Sequence, residues 1–500
     1  MRTPAEPARP DTRERLRARI HGALAPLWES ARPVDAVPLS RSHRAWLAAL
    51  TALACGLCLM LSAAVAPGGM TKDSTFQLDQ AEGRVPFNDW HPVVMSVLWR
   101  GLIVLTGSVG SMAAVQIMVA GCCAVLLSWY LLVMTRSRVL SLLGLLLLVL
   151  PHTANLLGTV WKDTQMALAL SLAVACLLLL RVRGNSSRAC WGLLGTAALA
   201  LVYAALVRKN AVIGIAPLVV LAAVLGLRLR RSGGWRRILA VSGAAFALLG
   251  AAVAGIGGVL DTATGATRTS QVTQVMLDDL IFAVPADAID ASPSAPPELK
   301  QKLAAARGVC AETGVIWDSY WDCYGYGADG RGFTAIEHVD EVTALWLEQI
   351  PRHLPEYAAY RLRTTGELLL TSDLEFILTE EHPEHGVPVR FPALNQTFAS
   401  YVVDGALRYA PFLFRGWFWL LLGVVGCVIS FSRPRPSPTT GAVFLSGVLY
   451  LAGFFPTAPA SDYRYIYWTA LSVLLGGLVL LAERGQERLH GSAEEPAAAE

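Results

Sequence analysis

Charge is what this 500-residue chain has least of. Asp, Glu, Lys and Arg together make up 16 % of it, against 54 % hydrophobic residues, and only five residues are lysine. Mean hydropathy is +0.47. A water-soluble chain of this length needs a larger charged surface. The chain instead carries uncharged apolar runs of roughly 18 or more residues, the length that crosses a bilayer as a helix. These features exclude a soluble enzyme, a nucleic-acid binder and a disordered scaffold. The runs also lack the polar–apolar alternation of barrel strands, which excludes a transmembrane β-barrel. No internal repeat and no metal-type Cys/His spacing is present. The fold class expected is an all-α polytopic membrane protein.

The net charge of +3 says little as a sum; its distribution says more. Apolar segments lie near 46–66, 109–134, 139–151, 164–181, 189–207, 211–228, 237–258, 411–431, 441–457 and 465–482, which predicts about ten spans. A shorter stretch, 93–106, reads as an interfacial or re-entrant helix, because counting it as a span breaks the charge pattern. With it set aside, Arg136 and Arg138, then Arg181, Arg183 and Arg188, then Arg228 to Arg237, then Arg433 and Arg435, all fall on the side of the Arg-rich N-terminus. The positive-inside rule makes that side cytoplasmic. The segment 261–410, with 22 Asp/Glu against 10 Lys/Arg, then lies outside. Ala64-Val65-Ala66 has the small-residue character of a cleavage site, but more than forty residues precede the first span, too many for a signal n-region. A retained helix is expected. The division expected is a cytoplasmic tail 1–43, a membrane module 44–260, an extracytoplasmic domain 261–410, C-terminal membrane helices 411–482 and a cytoplasmic tail 483–500. Both tails are polar. Pro and Ser make 285–297 irregular, and 336–372 reads as helices interrupted by Pro351 and Pro355. A plasma membrane is the expected location.

Seven cysteines (Cys55, Cys58, Cys122, Cys123, Cys176, Cys190, Cys427) lie in or beside apolar spans, where they act as small apolar residues. Cys310 and Cys323 stand in the external segment, an even pair that an oxidising compartment would join.

The spans hold almost no ionisable residues, Gln116 being the main polar exception. Ion-coupled transporters place charge near the midplane; here polar groups cluster where helices meet the external interface. The densest cluster is loop 67–92: Lys72-Asp73-Ser74-Thr75-Phe76-Gln77, Asp79-Gln80, then Asn88-Asp89-Trp90-His91-Pro92. A solvated loop also favours Asp and Asn. Yet this run leads into a short apolar helix, with Trp suited to the interface and Pro to a helix start. Loop 152–163 ends in Trp161-Lys162-Asp163 directly before a span, where an acid also serves as a cap. Asp163 falls on the same side as Asp73, and two carboxylates converging there would share a divalent cation (magnesium or manganese) or a proton. Loop 208–210 is Arg208-Lys209-Asn210, and 461–465 is Ser-Asp-Tyr-Arg-Tyr, containing Arg464 and Tyr465. Snorkelling explains many such cations. These run against the charge bias of their face, however, and three of the five lysines (Lys72, Lys162, Lys209) stand in these short loops. Cations at that depth suit a lipid phosphate.

In this order the motifs resemble the GT-C superfamily of polytopic glycosyltransferases, as in protein O-mannosyltransferases and aminoarabinose transferases. The likeness covers about 44–228 and 411–482. It rests on Asp73-Ser74 after the first span, the Pro92-led helix 93–106, Asp163 opening the fourth span, Arg208-Lys209 after the fifth, and Arg464-Tyr465 near the last. The family's acidic pair is Asp-Ser here, which leaves Asp73, Asp79 and Asp89 as alternatives for the base. The resemblance implies a GT-C-like bundle of about ten helices. It implies an inverting transferase that moves a sugar from a polyprenyl-phosphate donor to an extracytoplasmic glycan, lipid or protein acceptor. Asp73 would be the general base, and Arg208, Lys209 and Arg464 would hold the phosphate. Asp163 would orient the site or, with Asp73, bind the metal. Lys72, Gln77, Trp90, His91, Lys162 and Tyr465 would contact substrate. Two rival readings use the same residues: a transporter or flippase of a lipid-linked saccharide, and a non-catalytic GT-C-like assembly protein whose active part is 261–410.

Overall fold

A computed structural model describes residues 39–182, 185–229, 234–325, 333–433 and 436–494. Most of the N-terminal tail, the cations Arg183, Arg230, Arg231 and Arg435, and residues 495–500 lie outside the described residues. In lipid every backbone polar group must be satisfied within the segment, so apolar runs fold as helices. The described residues contain helices and isolated bridges but no strand.

The first half comprises α1 (Arg41–Val65), α2 (Lys72–Glu82), α3 (Val93–Thr106), α4 (Ser111–Thr135), α5 (Lys162–Leu180), α6 (Ser187–Val207), α7 (Ala211–Leu229) and α8 (Trp235–Thr264). A polar segment follows, with α9 (Val272–Ala283), α10 (Pro297–Thr313), α11 (Val339–Gln349), α12 (Leu354–Leu370) and α13 (Pro392–Ser400). The chain ends in α14 (Gly416–Ser432), α15 (Pro438–Ala452) and α16 (Tyr467–Glu494). Seven of the described helices (α1, α4, α5, α6, α7, α8, α16) are long and apolar enough to cross a membrane. The chain is an all-α polytopic membrane protein.

Three of the ten expected spans are shorter than that. Segments α14 and α15 are apolar helices of 17 and 15 residues. The segment expected at 139–151 breaks into Arg138–Leu142, a 3₁₀ turn Leu143–Leu145, and Leu146–Val149, after which Pro151 opens a new turn. Proline at 151 cannot continue the preceding ladder. The stretch 285–297, expected to be irregular, contains the short helix Ala286–Ala291. The expected interruption of 336–372 is present: a 3₁₀ turn, Ile350–Arg352, separates α11 from α12.

Helix α5 is the hub. Its apolar window is 94 % buried, whereas that of α8 is 17 % buried and leaves α8 at the edge. Inside the bundle, Gln116 Nε2 donates to the Leu157 and Thr159 carbonyls, at 3.2 and 3.0 Å. Gln165 Nε2 donates to Gln116 Oε1, and the Tyr203 hydroxyl donates to Gln165 Oε1. These bonds fasten the 155–161 loop to the helix tops. The loop seats there because residue 158 is glycine: a Cβ would stand 2.5 Å from the Val65 side chain. At the other end Glu483 accepts from Arg181 (3.0 Å), Ser437 and Thr440.

The polar segment builds its own core from Leu277, Leu280, Leu299, Leu303, Val342 and Leu345. Arg361 and Asp279, both buried, pair at 2.6 Å. Cys310 and Cys323 form a disulfide, and the other described cysteines are free. Helix α13 returns to the membrane bundle, where Asn395 Nδ2 donates to the Ala64 carbonyl. Isolated parallel bridges join Gly69 to Thr159, Asn88 to Thr267 and Asp373 to Asp462. Six loop segments are thus joined in pairs at one end of the bundle.

Candidate functional site

The site is built where those loops meet. Thr71 precedes α2, its N–H donating to Ser74 Oγ. Ser74 is fully buried and donates to the Val160 carbonyl at 2.8 Å, and Trp161 Nε1 donates to Thr71 Oγ1 at 2.8 Å. The residue that replaces the expected second acid is thus a fastener. It ties the helix carrying Asp73 to the loop that leads to Asp163. Both acids fall in the first turn of their helices, α2 and α5, where the helix dipole favours negative charge.

Each acid has its own arginine. Arg464 Nη1 lies 2.7 Å from Asp73 Oδ2, and Arg464 Nε lies 2.7 Å from Asp462 Oδ2. Its guanidinium stands over the Trp161 ring at 4.9 Å and the Tyr465 ring at 5.1 Å. Arg208 Nε lies 3.1 Å from Asp163 Oδ1, with the Tyr465 ring 5.0 Å away. Burial alone would raise the Asp73 carboxyl, but Arg464, then His91 and Lys162, hold it well below the usual carboxylate range. Burial raises Asp462, although Arg464 opposes it.

Lys162 differs. It is 8 % exposed, and among the described residues its ammonium makes no ion pair within 4 Å and no hydrogen bond. Its charged neighbours are Arg208, Asp73, Asp163 and Arg464. His91 is buried with Nε2 3.9 Å from Asp73 Oδ1, and its Nδ1 is unpartnered. Burial first, and Lys162 next, hold it neutral with a pKa of about 3. Gln77 Nε2 donates to the Asp73 carbonyl, while its Oε1 is buried without a partner.

The other sequence-predicted residues are placed as follows. Asp89 Oδ1 accepts from the N–H and hydroxyl of Thr269, both at 2.6 Å, and Lys209 approaches to 3.9 Å. Asp89 thus fastens the first loop to the polar segment, and Lys209 projects outward, its side chain 78 % exposed. Asp79 faces His385 at 3.8 Å. Lys72 Nζ stands over the Trp321 ring at 4.7 Å. The Trp90 N–H donates to Asn88 Oδ1.

The expected metal pair, Asp73 and Asp163, is divided between two arginines. Each carboxylate is already matched by an arginine, and among the described residues no three or more His, Cys, Asp or Glu gather as a ligand set. Three residues were not singled out from sequence: Trp161, Asp462 and Asp318. The first two stand beside residues that were. Asp318 comes from the polar segment and is electrostatically coupled to Asp462, Asp322, Arg464 and Asp73. Nothing in its local sequence marks it, apart from its place between the two bridged cysteines.

Fold and site together define a polytopic membrane protein with a buried, charge-dense site at one end of its helices. No family model and no curated protein matches the chain. Among solved structures it is similar to ArnT from Cupriavidus metallidurans. The form bound to undecaprenyl phosphate has a TM-score of 0.31 and 14 % identity, covering 87 % of this chain and 78 % of that one. The apo form has a TM-score of 0.25 and 14 % identity, covering 94 % and 78 %.

Proposed function

We propose that this protein is a plasma-membrane glycosyltransferase that moves a sugar from a polyprenyl-phosphate donor to an acceptor outside the cytoplasm. The observation that carries the reading is Lys162: an ammonium buried beside Arg208, Arg464, Asp73 and Asp163, both acids being paired with the arginines, and with no ion pair of its own. A buried charge without a partner is costly, and an incoming phosphate supplies one. Arg208 and Arg464 flank it, preorganised by Asp163, Asp73 and Asp462, so the phosphate meets fixed donors at the place where leaving-group charge develops. The unpartnered His91 Nδ1 and Gln77 Oε1 offer hydrogen bonds to sugar hydroxyls. The GT-C-like order of motifs turns an anion site into a transferase.

The test is transfer in membranes from cells expressing the wild type or Arg464→Gln. The substrates are radiolabelled undecaprenyl-phosphate pentoses and hexoses, with and without EDTA. The wild type is expected to move label to a new product and release undecaprenyl phosphate, equally with EDTA. Arg464→Gln should lose about two to three orders of magnitude. Donor that crosses a reconstituted bilayer without yielding a covalent product would overturn the transferase reading in favour of a transporter.

A further inference from the structure

An inverting transfer needs a proton acceptor, and the carboxylates supplied by the membrane module are engaged. Asp73 and Asp462 both pair with Arg464, Asp163 pairs with Arg208, Asp89 is held by Thr269, and Asp79 lies 3.8 Å from His385. A carboxylate held well below its usual range, as Asp73 is, is a weak base.

Two carboxylates of the polar segment reach this place: Asp373, which accepts from Ser461 Oγ at 3.0 Å, and Asp318. Helix α10 ends at Gly314, and the chain turns back through 315–325, closed by the Cys310–Cys323 disulfide. Ser319 Oγ and the Tyr324 hydroxyl donate to buried Asp278 Oδ1, which anchors the turn in the core. Gln274 Nε2 in turn donates to the Tyr324 hydroxyl. The far side of the turn is fastened to the membrane module. The Asp318 N–H donates to the Pro459 carbonyl at 2.6 Å, and Trp321 lies under Lys72, the residue before Asp73. Asp318 adopts φ 50°, the left-handed region. Few residues with a Cβ adopt this region, Asp being among the more tolerant, and the surrounding contacts hold it there. Its carboxylate is half-buried, and no hydrogen bond or ion pair engages it among the described residues.

We propose that Asp318 takes the proton of the acceptor hydroxyl, so that the polar segment completes a site whose membrane-module carboxylates Asp73, Asp163 and Asp462 are already paired with arginines. This rests on the transferase reading above. The bond between the sugar's anomeric carbon and the phosphate oxygen breaks. The acceptor oxygen bonds to that carbon from the opposite face, and its proton passes to the Asp318 carboxylate. The electron pair leaves with the phosphate, which goes from a diester monoanion to a monoester dianion beside Lys162, Arg208 and Arg464. Burial, then Asp462 and Asp322, push Asp318 up to about 7, with Arg464 opposing and Asp73 adding to the rise. That is where a general base works best at neutral pH.

The test uses full-length protein in nanodiscs with whichever radiolabelled undecaprenyl-phosphate sugar the wild type consumes, from pH 5.5 to 9. Because the base acts deprotonated, wild-type kcat/KM should fall tenfold per pH unit below about 7. Asp318→Asn should lose about a hundredfold or more at pH 8, and the acid limb with it. Its binding of undecaprenyl phosphate should stay within twofold, and Asp318→Glu should restore part of the rate. An Asp318→Asn enzyme within threefold of wild type, with the same acid limb, overturns the inference and leaves the transferase standing. So does an acid limb that disappears in Asp73→Asn instead. Loss of undecaprenyl-phosphate binding in Asp318→Asn would mark a structural role and overturn it too. A wild type that moves no label overturns both readings together.

Discussion

Lys162→Met separates ligand binding from folding at this site more cleanly than either arginine can. The side chains are of similar length, so the change removes the charge and little volume. Lys162 makes no hydrogen bond or ion pair among the described residues, so no partner is orphaned. Arg464 is different: its loss would strand Asp73 and Asp462, each 2.7 Å away, and breaking a buried pair costs about 3–5 kcal/mol. A charged hydrogen bond to a phosphate is worth about 1.5–3 kcal/mol, or roughly ten- to a hundredfold in Kd. The expected result is therefore a weakening of that size for undecaprenyl phosphate, measured by titration in nanodiscs, with a thermal midpoint no lower than wild type. Two outcomes refute the reasoning. Unchanged affinity would mean that the ammonium does not face the phosphate, and a lowered midpoint would mean that it has a structural partner.

Two further perturbations test the supports of the site. Asp163→Asn and Arg208→Met should each destabilise the protein by about 3–5 kcal/mol, because each leaves the other buried charge unpaired. The double variant should be less destabilised than the sum, which a double-mutant cycle on thermal unfolding would read; strict additivity would show that the pair is not coupled. Replacing Cys310 and Cys323 with serine opens a loop with a sequence separation of 13, worth about 3 kcal/mol by chain entropy. Asp318 lies inside that loop, so transfer should fall while undecaprenyl-phosphate binding persists; full retention of transfer would show that the turn holds without the bridge.

Much of the fold was legible because membrane helices write themselves as uncharged runs. The exceptions have physical causes. The apolar stretch at 139–151 has the hydropathy of a span, but Pro151 and the 3₁₀ turn at Leu143–Leu145 break its ladder, and hydropathy does not see a broken ladder. At the site, Asp73, Lys162, Asp163, Arg208 and Arg464 stood out because charge is conspicuous at the edge of an apolar run. Asp89 and Lys209 stood out for the same reason, yet Asp89 is a fastener and Lys209 projects outward; charge at a helix end marks position and not task. Asp318 was illegible for the converse reason. It stands in an acidic segment where one more Asp carries no signal, more than 240 positions from Asp73. Its place depends on a left-handed backbone, a bond to Pro459 and an anchor on Asp278. What makes that carboxylate distinctive is that Asp73 and Asp462, the acids of the membrane module around it, are already paired with Arg464. That is a property of the assembled site, and a chain read residue by residue has no way to express it.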